Sequence, residues 1–210
     1  MNIRGNVKNA TEAFDLLLGG RDKTKDSVVS TSFLKEKGKP NDTYAPWRAN
    51  DKDKNTAWVE GAKGDGIGEK IYIKIKKMIF VEDFKPITLN FGIINGCVAS
   101  EELFYLNNRV KKAKLTVYEA RWGICGVAFK RKSNLVINNY KIIDLPDTSS
   151  VQNIQMKIPA IKLIEKLEKD TTYDPYFFMV ELEILEVYKG TKYNDTCITE
   201  FNVKDVIEEK

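Results

Sequence analysis

The sequence predicts an all-β protein built as an antiparallel sandwich or barrel. From Ser27 onward the apolar residues recur with a period of two, which is the period of a strand with one face in the core. Several such runs follow one another with loops between them, as is typical of sandwiches and barrels. Helical segments do not alternate with these runs, which argues against a parallel, doubly wound sheet.

The strand alternation is clearest from Ile71 to Ile75. There Ile71, Ile73 and Ile75 alternate with Tyr72 and Lys74, which predicts that Tyr72 and Lys74 lie on a solvent-facing side. The other strand candidates are Ser27–Phe33, Ile87–Ile94, Lys114–Tyr118, Gly126–Arg131, Leu135–Ile143, Gln152–Ile158, Val180–Leu185 and Cys197–Val203.

Residues 1–26 are predicted to form a helical lead-in that packs on a main domain of residues 27–210. Asn9 and Glu12 have the spacing of a helix cap and its capping-box partner. Apolar residues then follow at helical spacing until Gly19-Gly20: Ala10, Ala13, Phe14, Leu17 and Leu18. A second helical pattern begins at Pro159, with apolar positions at Ile161, Ile164 and Leu167.

The composition is that of a globular chain and limits its partners. Hydrophobic residues make up 42% of the 210 residues and charged residues 30%. The 34 basic and 30 acidic residues give a net charge of +4 without a block of one sign, so no nucleic-acid-binding stripe is predicted. No stretch approaches the roughly 18 apolar residues of a membrane-spanning helix.

Histidine is absent, and with it the usual general base and the commonest zinc ligand. Ser-His-Asp and Cys-His catalytic systems are therefore excluded, and an enzyme without histidine must work with carboxylates, lysine or tyrosine. A glycosidase based on paired carboxylates is the alternative. Its candidates are Glu60, Asp65 and Glu69, in and beside the glycine-rich segment 61–69, which otherwise matches no phosphate-binding glycine motif.

Cysteines and the N-terminus leave the cellular compartment open. Cys97, Cys125 and Cys197 form no C-x-x-C metal pair, and at most one disulfide is possible, between partners that the sequence does not identify. The first residues contain no apolar signal core, so either the protein stays inside the cell or an export signal has been removed.

A polar segment from Asp51 to Thr56 is a candidate cation site. Oxygen-bearing side chains at Asp51, Asp53, Asn55 and Thr56 can converge in a tight loop, and hard cations such as Ca²⁺ take about 6–8 oxygen ligands. The segment fails the rest of the EF-hand pattern. Two interpretations stay open: an ordinary polar turn, or a cation site whose remaining ligands come from backbone carbonyls or a distant carboxylate.

Aromatic and polar residues on predicted loops are candidate ligand-binding residues. An Asn95-Gly96 turn is followed by a polar loop with Tyr105, Asn108 and Arg109, and rings beside amide and guanidinium donors are suited to polyhydroxyl ligands. Further aromatic side chains on loops are Tyr44, Trp47 and Trp122. The alternative is that these rings close the ends of the sandwich.

Several of these motifs, taken in order, resemble one known family. They are Tyr44 to Trp58, Thr56-Ala57-Trp58-Val59-Glu60-Gly61, Gly66-Ile67-Gly68-Glu69, Asn95-Gly96 with Asn108-Arg109, and Asp195 to Glu200. Together they are similar to the NADase-type glycan-binding, or translocation, domain, a discoidin-like module, over residues 27–203.

The resemblance implies a galactose-binding-domain-like jelly-roll β-sandwich with one or two peripheral helices, which binds a ligand through loops at one end without catalysis. It also implies a structural Ca²⁺ at a D-x-D-x-x-T loop, with Asp51, Asp53, Thr56 and Glu200 as ligands. Two residues depart from the family pattern: Lys52 stands where glycine is common, and Cys97 where an aromatic residue is usual.

We therefore predict a non-catalytic recognition module that binds a glycan or a glycosylated surface through loops stabilised by Ca²⁺. The alternatives are a surface module for proteins or lipid headgroups, and an accessory domain of a glycan- or NAD-hydrolysing enzyme. The resemblance favours a bacterial protein exported to the periplasm or the cell surface.

Overall fold

Nine β-strands and two short α-helices form the part of the chain that the computed structural model describes, which is residues 6–19, 27–75, 86–121, 134–159 and 176–208. The elements are α1 (Ala10–Gly19), β1 (Val28–Ser30), β2 (Trp58–Val59), β3 (Lys70–Lys74), β4 (Ile87–Asn95), α2 (Glu101–Leu106), β5 (Asn108–Arg121), β6 (Asn134–Asp144), β7 (Gln152–Ile158), β8 (Tyr176–Tyr188) and β9 (Thr196–Glu208). A 3₁₀ helix at Pro46–Asn50 precedes β2.

The strands form a jelly-roll sandwich of two antiparallel layers. One layer has the order β1-β3-β8-β5-β6, and the other has the order β2-β9-β4-β7. The layers are joined by a parallel pairing of β5 with β9, in which Asn108 and Arg109 lie opposite Thr196 and Cys197. This joint lies at one end of the sandwich, where β5 and β9 both begin.

The core lies between the two layers. Its residues alternate along the strands as the period of two predicts, and its largest fully buried side chains include Trp58, Phe91, Phe178 and Phe201. Burying a side chain of this kind contributes about 1.5–3 kcal/mol to stability. The Trp58 indole also donates a hydrogen bond to the Ser32 carbonyl at 2.9 Å, so its polar atom is satisfied.

Helix α1 packs on the outer face of the first layer. Asn9 Oδ1 accepts a hydrogen bond from the Glu12 backbone at 3.0 Å, and the Glu12 carboxylate accepts one from the Lys8 backbone at 2.9 Å, so the predicted cap forms. Phe14 and Leu17 of the helix lie in one cluster with Tyr72 and Met179. The prediction that Tyr72 faces solvent is therefore wrong, because α1 covers it.

The all-β prediction is confirmed, with differences in detail. The strand predicted at Ser27–Phe33 is only three residues long, and part of the loop predicted after Asn95-Gly96 is α2 and the start of β5. The strand predicted at Gly126–Arg131 and most of the helix predicted after Pro159 lie outside the described residues. Within the described segments, no helix has the length and apolar character that crossing a membrane requires.

Candidate functional site

A recess of about 480 Å³ lies at the end of the sandwich where the layers are joined. Four parts of the chain form it: the polar segment 51–56, the turn after β4, helix α2, and the β6–β7 loop. Its polar lining residues are Lys54, Ser100, Glu101, Tyr105, Asp147, Thr148 and Ser149, with Val98 and Phe104 as apolar members.

Helix α2 presents the aromatic part of the recess. It begins after Ser100, whose Oγ accepts a hydrogen bond from the Leu103 backbone at 3.1 Å, and two acidic residues occupy its first turn. Phe104 is buried, and Tyr105 is 49% exposed with its ring edge-on to Phe104 at a centroid distance of 5.1 Å. Tyr105 is thus an exposed ring held by a buried one.

The Asn95-Gly96 turn fixes where α2 lies. Asn95 is fully buried, and its side-chain amide donates to the Val110 carbonyl at 2.6 Å and accepts from the Val110 backbone N–H at 2.9 Å. Gly96 has φ +76, and a Cβ there would lie 2.7–2.9 Å from the side chains of Arg109 and Phe104. Glycine is required here both for the backbone angle and for this close approach.

Arg109 is buried beneath the recess and joins its walls. Its guanidinium forms a bidentate pair with Asp147, at 3.0 Å from Nε and 2.6 Å from a terminal nitrogen. It also donates to the carbonyls of Asn107 (3.0 Å) and Lys189 (3.2 Å) and lies 5.1 Å from the Phe104 ring centroid. Its donors are directed inside the protein, where they hold the β6–β7 loop against α2.

Asn108 has a comparable internal role. It is fully buried, donates to the Asn194 carbonyl at 2.6 Å and accepts from the Gly190 backbone at 2.8 Å. It thereby fixes the segment between β8 and β9 beside α2. Of the predicted ligand-binding residues, Asn95, Asn108 and Arg109 thus build the loop end from within, and Tyr105 faces the recess.

The polar segment beside the recess folds as a sequence of side-chain-capped turns. Asp51 accepts hydrogen bonds from the Asp53 backbone at 3.0 Å and from the Thr56 hydroxyl at 2.8 Å. Asp53 accepts from the Asn55 backbone at 2.9 Å, which lowers the pKa of Asp53. The carboxylates are therefore held in place by the segment itself.

Glu200 meets this segment from β9. Burial raises the pKa of Glu200, the charge of Asp51 acts in the same direction, and a hydrogen bond from the Lys52 backbone opposes both. Its Oε2 accepts from Asn202 at 3.3 Å, whereas its buried Oε1 has no hydrogen-bond partner. A buried carboxylate oxygen without a partner is costly, and a cation would satisfy it.

The donor set is compatible with a hard cation, because carboxylate, hydroxyl and carbonyl oxygens are the ligands that Ca²⁺ takes. Among the residues that the structure describes, no three Asp, Glu or Cys side chains are close enough to hold a metal ion together. A cation here would therefore depend on at most two of these carboxylates, with neutral oxygens completing its ligands.

The other aromatic candidates lie away from the recess. The Tyr44 hydroxyl donates to Glu36 at 2.9 Å and accepts from Lys39 at 2.6 Å, and Trp47 packs against the core. Neither ring lines the recess, and their predicted role in ligand binding stays a prediction. Trp122 lies outside the described residues.

The glycine-rich segment is organised around Glu60, which is fully buried. Its carboxylate accepts backbone hydrogen bonds from Ala62 (2.7 Å) and Thr196 (3.2 Å), and burial raises its pKa to about 7. Gly66 has φ +70, and a Cβ there would overlap the Glu60 side chain.

The other two candidate carboxylates also have partners within the protein. Asp65 pairs with Lys189, and Glu69 accepts hydrogen bonds from Thr31 and Ser32. The three candidate carboxylates thus fix the segment to the sandwich.

Comparison with protein families identifies the module. Residues 21–204 match the profile described as the NAD glycohydrolase translocation F5/8 type C domain. The chain belongs to this family. The family assignment agrees with the discoidin-like jelly roll that the motifs predict.

The solved structures that this chain is similar to are distant in sequence. A family 32 carbohydrate-binding module from C. perfringens NanJ in complex with galactose is 15% identical with a TM-score of 0.38, covering 84% of this chain and 91% of that one. The arabinofuranosyltransferase AftD from Mycobacteria is 13% identical with a TM-score of 0.41, over 88% of this chain but only 10% of the enzyme. A CBM4 structure is 9% identical with a TM-score of 0.30, covering 76% and 91% of the two chains. No curated protein matches in sequence.

The two departures from the family pattern have visible consequences. Lys52 adopts a left-handed backbone with φ +66, which is the conformation that glycine adopts without strain. Cys97 and Cys197 lie in one small apolar cluster with Ala57 and Val59, and both are free thiols. Burial raises the pKa of both. The cluster makes Cys97 a packing residue at the position where the resemblance implies an aromatic ring.

The sequence analysis missed α2 and the role of Asp147. Ser100 followed by Glu101 and Glu102 is a helix-start signal that was available in the sequence. Asp147 carries no such signal, because its pairing with Arg109 spans 38 residues of chain.

Proposed function

We propose that this member of the family is a non-catalytic recognition module that binds a glycan in the loop-end recess. The observation that carries the proposal is the exposed Tyr105 ring beside the hydroxyl, carboxylate and ammonium groups of the recess. An apolar ring face with polar groups around it suits a polyhydroxyl ligand, because sugar rings combine C–H faces with hydroxyl edges. Such a glycan-bearing partner fits an exported, surface-exposed location.

Replacing Tyr105 by alanine should weaken glycan binding about two- to tenfold. The substitution removes the exposed ring, and stacking interactions of aromatic rings contribute about 0.5–1.5 kcal/mol beyond area burial. A glycan array identifies the ligand, and titration calorimetry then compares wild type, Tyr105→Ala and Tyr105→Phe. Tyr105→Phe should retain most of the affinity.

Tyr193→Ala is the matched control, because Tyr193 is an exposed tyrosine near α2 that does not line the recess. It should bind as wild type. Equal affinities of Tyr105→Ala and wild type for every bound glycan would contradict the location of the site.

We further propose that a structural Ca²⁺ binds at this segment, with Glu200, one of the two carboxylates Asp51 and Asp53, and the Thr56 hydroxyl among its ligands. When bound, the ion supplies positive charge to the unpartnered Glu200 oxygen and stabilises the segment whose Lys54 lines the recess. Extracellular calcium modules have Kd values of about 10⁻⁴–10⁻³ M. A site of this strength is expected to respond to millimolar calcium.

Calcium at 10 mM should raise the melting temperature by about 3–11 °C. This follows from about 1.4–2.7 kcal/mol of stabilisation at 10–100 times Kd. The rise should disappear in Glu200→Gln and persist in Glu101→Gln, an exposed acid at the same end. A melting temperature that responds neither to calcium nor to a chelator would eliminate the ion from the proposal.

The family description supports a second candidate function. A translocation domain of NAD glycohydrolase is by its description an accessory to an enzyme. Under this alternative, the recess contacts a protein or a lipid headgroup during translocation. Liposome sedimentation and a glycan array, run on the same preparation, distinguish the two functions.

A further inference from the structure

The structure has a second, polar groove. It has a volume of about 790 Å³, within the range of ligand sites, and it extends over the outer face of the β7-β4-β9 layer with β6 as one wall. Paired strands lie about 4.8 Å apart, so the three paired strands β7, β4 and β9 span about 10 Å. It shares no lining residue with the recess, and both adjoin the β6–β7 loop: Asp144 and Asn153 line the groove, and Asp147 lines the recess.

Lys204 crosses the floor of the groove because of a β-bulge. Asn90 of β4 pairs with Asp205 and Phe91 pairs with Val203, so Lys204 is the extra residue of β9. Its side chain passes over Gly92, where a Cβ would overlap it, and its ammonium donates to Asn153 Oδ1 on β7 at 2.8 Å. Bulges frequently re-aim a side chain at a functional site.

An unsatisfied acceptor lies in the same floor. The Asn90 Oδ1 atom is buried and has no hydrogen-bond partner, so a donor group of a ligand would satisfy it. Leu89 and Phe91 on either side of Asn90 belong to the core, so Asn90 itself faces outward into the groove.

Charge and edge geometry select the class of ligand. Lys141 and Lys204 are balanced by Asp144 and Asp205, so the lining is neutral overall and does not suit a polyanion. A peptide cannot extend the layer at β7, because the carbonyls of Gln155 and Lys157 already accept hydrogen bonds from Lys141 (3.4 Å) and Asn139 (2.8 Å) of β6. A neutral chain whose hydroxyl groups form hydrogen bonds fits the side-chain amides that line the groove.

We infer that this groove binds a neutral oligosaccharide chain and is a second glycan site beside the loop-end recess. The inference rests on the proposed glycan-recognition function. The recess takes a terminal sugar, and the groove takes several consecutive units of a chain. Affinity therefore rises with chain length through the groove, independently of Tyr105.

The test measures binding of neutral linear oligosaccharides of two to eight units to four proteins: wild type, Tyr105→Ala, Lys204→Met and the double variant. We expect wild type and Tyr105→Ala to gain at least tenfold in affinity from two to eight units, and Lys204→Met to lose that gain. Gly92→Ala displaces Lys204 without removing a polar group, and this variant should also lose the gain in affinity with chain length.

Lys157→Met is the matched control, because it removes a lysine charge from the same strand layer outside the groove lining. It should keep the length dependence. Binding that does not depend on chain length and that Tyr105→Ala abolishes would contradict the groove site and support the recess site. Length-dependent binding that Tyr105→Ala does not change would contradict the recess site and support the groove site. An absence of binding to all chains would overturn both.

Discussion

Replacing Arg109 by methionine is expected to lower the free energy of unfolding by about 1.5–3 kcal/mol, because it removes charge-assisted hydrogen bonds to Asp147, whose side chain is 33% exposed. The guanidinium is buried, and its loss leaves Asp147 and the carbonyls of Asn107 and Lys189 without their donor. Glycan binding in the recess should be lost at the same time, because Asp147 and α2 are no longer held together. Urea unfolding and calorimetric titration measure the two effects.

Two further variants separate geometry from charge. Arg109→Lys keeps the charge but not the planar fork, so it should recover less than half of the lost stability. Lys111→Met removes an exposed lysine on the same strand, whose pair with Glu186 is solvent-accessible, and should change stability by less than about 1 kcal/mol. If Arg109→Met unfolded within 1 kcal/mol of wild type, the pairing would not hold the loop end together.

The stability of the protein should fall by about 1–3 kcal/mol between pH 5 and pH 8, and Glu60 should cause much of the fall. Its pKa is raised from the ordinary 4.5 to about 7 in the folded state. Between these values the folded protein holds a proton that the unfolded chain has lost, so stability decreases as pH rises through 7. Burial raises the pKa of Asp195 and Glu200 also, which acts in the same direction.

Urea denaturation of wild type and Glu60→Gln at several pH values between 5 and 8 tests this expectation. Glu60→Gln should have a shallower pH dependence, because it cannot titrate, whereas Glu102→Gln, an exposed acid on α2, should retain the wild-type slope. An identical slope in Glu60→Gln and wild type would show that Glu60 does not carry the effect.

The fold was largely predictable because it depends on local periodicity. The alternation of Ile71, Ile73 and Ile75 predicts a strand whichever strands it pairs with. Strand β7 likewise occupies the range that its pattern predicts. The error at Tyr72 has a tertiary cause, since the polar pattern of β3 does not reveal that α1 covers this face. The family motifs supplied what periodicity lacks, namely the topology of a jelly roll.

The candidate site was predictable only in part. Residue types identified Tyr105 and the polar segment from Asp51 to Thr56 correctly as features of the loop end. They did not distinguish side chains that face the recess from those that build it, because Asn95 and Arg109 are buried by contacts distant in sequence. The groove was not predictable either, because the bulge at Lys204 is visible only in the pairing of β4 with β9.

The short parallel pairing of β5 with β9 has a mechanical consequence. It is the strand pairing that joins the layers among the strands described, and Arg109, which holds the recess, is one of its residues. A pull exerted through a ligand in the recess is therefore divided between both halves of the sandwich. If the bound ligand were tethered to a surface, tension would act along the strands rather than separate one layer from the other.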